Sequence, residues 1–124
     1  MLSQILLYIG AAIPIFWGIA HLFPTKSVVA GFGDISLDNR HIITMEWIIE
    51  GIAMIFIGVL VASVTMIDHQ SAISGAVYLI SSAALLVLAV VSLFTGFKIS
   101  FLPFKLCPFL FTTSAILIIV ASFL

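Results

Sequence analysis

Glu46 and Glu50 are the residues of this chain best suited by type and spacing to do chemistry. They lie in the run His41-Ile-Ile-Thr-Met-Glu-Trp-Ile-Ile-Glu-Gly-Ile-Ala-Met-Ile-Phe-Ile-Gly58, whose other positions are mostly apolar. An ionised carboxylate in hydrocarbon costs a few kcal/mol or more, so such residues usually face a protein interior and mark a site. Four-residue spacing puts both on one helical face, one turn apart. Counted from His41, Glu46 lies about 7 Å and Glu50 about 13 Å along a helix, which predicts a position near mid-membrane for Glu50 unless the helix starts well outside the bilayer.

A second stripe complements the first. Gly10, Pro14, Trp17 and His21 follow one another at spacings of four, three and four, so they share a face of the preceding helix. That helix runs the opposite way and brings His21 to a depth similar to that of Glu46. The expectation is a pocket in which His21, Glu46 and Glu50 converge, with Trp17 and Trp47 as aromatic walls and Arg40 as a counter-charge or a ligand for lipid phosphate. Three uses are open. Desolvation favours the neutral forms of carboxyl and imidazole groups, so the set could hold and relay protons near neutral pH. One imidazole and two carboxylates could hold a divalent metal, although Glu-x-x-x-Glu lacks the Glu-x-x-His companion of di-iron bundles, and no metal site is assigned. The polar groups could also orient the head of a lipophilic ligand such as a quinone, stacked on the tryptophans. Against all three stands a structural role, in which the glutamates pair with Arg40, Lys98 or His21, or bond to backbone and fix helix register.

The elements that must position these residues are membrane helices. A chain of 124 residues that is 64% hydrophobic and 7% charged lacks the polar side chains to cover a water-soluble surface. Four segments meet the roughly 20-residue requirement for a span: 2–23, 42–67, 72–97 and 104–124. The fold class is therefore all-α, an antiparallel bundle of four transmembrane helices in a single domain over residues 1–124. The first segment has no basic region before it and no small-x-small cleavage pattern, and reads as a retained span. Lys26, Arg40, Lys98 and Lys105 all fall in or beside the first and third connections. The positive-inside rule then makes those loops cytoplasmic and puts both termini outside, in a multi-pass protein of the cell membrane.

In the connections, Thr25 to Ala30 reads as a short interfacial helix ended by Gly31 and Gly33, and Ser36 or Asp38 offers a cap for the second span. Asp38, Asn39, Arg40 and His41 form the densest polar cluster, read as a solvated helix start. Asp68 to Ser71 is a tight turn that makes the second and third spans neighbours. The third connection, with Phe97, Phe101, Pro103 and Phe104, is expected to lie flat among the headgroups. Gly58 and Ala62 form a small-xxx-small pair suited to close helix contact. Cys107 is expected to be a buried thiol, and Ser114 to bond either its own helix or a neighbour.

The sequence Glu50-Gly51-Ile-Ala-Met-Ile-Phe-Ile-Gly58 resembles the second helix of the DoxX-like small membrane proteins, four-helix proteins of similar length, some of them linked to quinone-dependent sulfur oxidation. The resemblance covers that helix together with the length and the number of spans. It implies a redox-associated membrane protein in which Glu50 is the position carried over.

Scattered lysine and arginine exclude nucleic acid as a partner. No phosphate-binding glycine loop, CxxC pair, Gly-x-Ser-x-Gly elbow or His-Glu-x-x-His occurs. The leading expectation is a protein that binds a lipophilic small molecule or quinone in a Glu/His site toward the cytoplasmic side and handles protons there. The alternatives are a proton- or cation-coupled transporter working as a homo-oligomer, and a structural or assembly subunit of a membrane complex. Whether the chain is an enzyme is left open.

Overall fold

A computed structural model describes residues 1–124. Helices α1 (Leu2–Leu22), α3 (Leu37–Asp68), α4 (Ala72–Phe94) and α5 (Leu102–Ser122) form the bundle, α2 (Thr25–Ala30) lies in the first connection, and a 3-10 turn spans Gly96–Lys98. In hydrocarbon every backbone polar group must be satisfied within its own segment, so long apolar runs become helices. Each start carries a local signal. Ser36 accepts the Asn39 N–H at 3.2 Å at the head of α3, and Ser71 accepts the Ser74 N–H at 3.1 Å at the head of α4. Pro103 occupies the first turn of α5, where its missing N–H is not needed. The four long helices are each apolar and long enough to cross a membrane.

The helices form a ring in which α3 packs on α1, α1 on α5 and α5 on α4, while α4 returns only sparsely to α3. The α1–α3 contact is a seam of small residues. A Cβ at Gly18 would lie 2.7 Å from the Gly51 carbonyl oxygen, and one at Gly58 would overlap the Ala11 carbonyl and the Ile15 side chain. Gly18 thus faces Gly51 while Ala11 faces Gly58, an antiparallel register repeated every seven residues. Small residues are needed there because the two backbones nearly touch.

The α1–α5 contact is fixed by a proline. Pro14 has no N–H, so the Gly10 carbonyl loses its helical donor. Ser114, fully buried on α5, donates its hydroxyl to that carbonyl at 2.6 Å. Of the two roles open to Ser114, the bond across to a neighbouring helix is the one it makes.

Between the ends the core is filled by Leu7, Met54, Tyr78, Leu85, Phe111 and Ile118. The side-chain hydrogen bonds joining α3 to α4 cluster near their connecting turn: Thr65 with Tyr78 at 3.0 Å, and Ser74 Oγ donating to the Asp68 and Val64 carbonyls. At the other end the two helices line a common cavity.

Helix α3 starts at Leu37 and runs for 32 residues, about 48 Å, well beyond a hydrocarbon core of about 30 Å. The 21 residues of α1 span about 31 Å and match that core. Because Gly18 lies against Gly51, Glu50 is level with the last turn of α1. Residues 37–46 of α3 extend past the end of α1, and Glu50 stands at that end of the bundle.

Candidate functional site: an aromatic cavity at the basic end

The C-terminal end of α1, the first half of α3, the last turns of α4 and the start of α5 enclose a cavity of about 380 Å³. This is the end of the bundle that carries Lys26, Arg40, Lys98 and Lys105. The volume lies within the roughly 300–1,000 Å³ range of small-molecule sites.

Its polar focus is built by two residues that clamp α1 to α3. The last carbonyls of α1 have no helical donors. Trp47 Nε1 donates to the His21 carbonyl at 2.8 Å, and Thr25 Oγ1 donates to that of Leu22 at 2.6 Å. In return His21 Nε2 donates to the Trp47 carbonyl at 3.1 Å. A carbonyl oxygen only accepts, so Nε2 carries a hydrogen. The imidazole and indole rings stack at 3.8 Å with 15° between their planes, and Phe104 meets Trp47 edge-on at 5.8 Å. Glu50 Oε2 lies 3.7 Å from His21 Nε2. The His21 side chain is 10% exposed and that of Glu50 55%, so the imidazole is part of the wall and the carboxylate stands at the mouth.

The opposite wall joins α1 to α5. Trp17 Nε1 donates to Cys107 Sγ at 3.3 Å, and that thiol lies 3.5 Å from the Pro103 carbonyl. Cys107 is half-buried and belongs to the wall. The third connection borders the cavity while Phe97, Ile99 and Phe101 keep 43%, 41% and 57% exposure. Its Gly96 is buried, Ile99, Phe101 and Phe104 line the cavity, and Phe101 and Phe104 meet edge-on at 6.1 Å.

His21, Glu50, Trp17 and Trp47 therefore share one cavity. Glu46 and Arg40 do not. Glu46 is exposed, one turn of α3 beyond Glu50 and past the end of α1, while Arg40 reaches back to the Gly33 carbonyl at 3.5 Å. The expected convergence of three groups is thus a pair, His21 with Glu50, and no set of three His, Cys, Asp or Glu side chains is gathered for a metal. Sequence reasoning missed Met54, Leu88, Ser92, Thr95 and Phe104 as wall residues. The three- and four-residue spacing of Leu88, Ser92 and Thr95 was a signal that they share a face.

In comparisons with known proteins, no family model, curated protein or solved structure matches this chain. What the site can do rests on its own chemistry. Flat aromatic walls suit a ring, and one imidazole beside one carboxylate can fix a polar head or exchange a proton with it.

Proposed function

We propose that this integral membrane protein binds a lipophilic, ring-bearing small molecule of the quinone or hydroquinone class in the cavity at its basic end, with His21 and Glu50 holding and exchanging the proton of the ligand's head. The observation that carries the reading is the position of the His21–Glu50 pair inside an otherwise aromatic and aliphatic cavity of about 380 Å³. The location supports it too, because a site at one end of a membrane bundle is within reach of both lipid-borne ligands and water-borne protons. The positive-inside rule assigns that face to the cytoplasm. Kinship with the DoxX-like proteins through Glu50, Gly51 and Gly58 belongs to the same proposal. The closely packed core beyond Met54, with Leu7, Tyr78, Leu85, Phe111 and Ile118 each almost wholly buried, favours binding over passage through a single chain.

The test uses the protein's own reporters. Trp17 and Trp47 are its two tryptophans, and both line the cavity. A decyl-tailed benzoquinone or its hydroquinone should quench their emission saturably. Ser92→Phe should abolish that quenching, since it fills the cavity and removes a hydroxyl that bonds only its own helix. Quenching that rises linearly without saturation, or saturates equally in Ser92→Phe, would refute the reading.

A further inference from the structure

The hydrogens of the cavity wall are already spent. Trp17 N–H goes to Cys107 Sγ, Trp47 N–H to the His21 carbonyl, and His21 Nε2–H to the Trp47 carbonyl. The Ser92 hydroxyl donates to the Leu88 carbonyl at 2.6 Å, the Thr95 hydroxyl to that of Val91 at 2.6 Å, and the Cys107 thiol points to that of Pro103. With His21 neutral, every side-chain donor in the wall is committed inside the protein.

What the wall keeps in reserve is acceptors. The Glu50 carboxylate meets no donor closer than His21 Nε2 at 3.7 Å and stands half uncovered. The Ser92 and Thr95 oxygens retain lone pairs, and neutral His21 has one on Nδ1.

A ligand that can only accept hydrogen bonds finds no side-chain partner in such a wall. A ligand that donates finds several partners, one of them charged. We infer that the cavity selects a headgroup that donates hydrogen bonds, a phenol or hydroquinone over the corresponding quinone or ether, with Glu50 as the principal acceptor. This rests on the ligand-binding reading above and specifies which member of a redox couple the resting site holds. No covalent or electron-transfer step is involved in the selection.

The test compares three ligands with one skeleton: a decyl-tailed hydroquinone, its quinone and its dimethyl ether. Each is titrated anaerobically at pH 8, where an ordinary imidazole of pKa about 6.5 is neutral. Tryptophan quenching is the readout, and dissociation constants are referred to ligand in the micelle phase so that differences in partitioning cancel. The hydroquinone should bind roughly tenfold or more tightly than either of the others, the factor that one hydrogen bond to a charged acceptor supplies. Glu50→Gln, which offers an amide N–H in the same shape, should bring the hydroquinone and quinone closer together. Equal affinity for all three ligands, or tighter binding of the quinone or the ether, would overturn the donor preference and leave ligand binding standing. Saturable binding of none of them would overturn both.

Discussion

Replacing Trp47 by phenylalanine separates two contributions that the structure superposes. The ring stacked on His21 at 3.8 Å is kept, while the N–H that reaches the His21 carbonyl at 2.8 Å is lost. That carbonyl lies in the last turn of α1, where no helical donor is available. A net hydrogen bond is worth about 0.5–1.5 kcal/mol, and interhelical bonds in a membrane protein average about 0.6 with a maximum of about 1.7. Water can reach the membrane face and partly replace the lost donor, so Trp47→Phe should destabilise the fold by about 0.5–1.5 kcal/mol. Trp47→Ala also removes the stack and the edge contact with Phe104, and large aromatic truncations cost about 3–5 kcal/mol when fully buried. Trp47 is half-buried, so about 2–3 kcal/mol is expected for the alanine variant. Unfolding in mixed detergent micelles, followed by far-ultraviolet circular dichroism, measures both. Ligand affinity should follow the same order, because the indole holds His21 in place. Equal costs for the two variants, or no measurable cost for phenylalanine, would show that the reciprocal clamp does not hold α1 to α3.

Other perturbations probe the frame. Gly58→Ala drives a methyl group into the Ala11 carbonyl and should cost about 1–3 kcal/mol, whereas Gly75→Ala, with open space around it, should be neutral or stabilising by up to about 1 kcal/mol in the same unfolding assay. Ser114→Ala strands the Gly10 carbonyl and should cost about 1–2 kcal/mol. In a Pro14→Ala background the restored N–H can serve that carbonyl, so a double-mutant cycle should give a coupling of about 1 kcal/mol, and zero coupling would contradict the assigned bond. Glu46→Gln should leave affinity for the decyl-tailed hydroquinone unchanged, while Glu50→Gln weakens it. Matching effects would mean that Glu46 reaches the ligand after all.

The spans, the short α2 helix, the Ser36 cap and the tight turn at Asp68 to Ser71 were all readable in the sequence, because each rests on local chemistry: apolar length, a serine cap, glycines and a short polar turn. The meeting of His21 with Glu50 was readable as well, since antiparallel neighbours place the end of one helix beside the start of the next. Glu46 was harder. The rule that residues four apart share a face gives an angle but no length, and α1 stops before reaching the level of Glu46. Asp38 to His41 begin α3, as their polar cluster behind the Ser36 cap suggested. The far wall was hidden for another reason. Nothing local to α3 or α4 states that they join near their turn and line a cavity at the other end, nor that Phe104 packs edge-on against Trp47. Those features follow from the ring order of the helices, which the small-residue seam and the Pro14–Ser114 bond impose.

Photo-crosslinking shows whether a ring-bearing ligand occupies the cavity between His21–Glu50 and the aromatic walls. A hydroquinone with a diazirine on its ring is irradiated with the protein, and the labelled peptides are mapped by mass spectrometry. Label should be confined to Trp17–Pro24, Trp47–Met54 and Leu88–Cys107, and suppressed by excess unlabelled hydroquinone. Label spread over lipid-facing residues such as Phe16, Phe56 and Leu79, and not suppressed by that competitor, would contradict that occupancy.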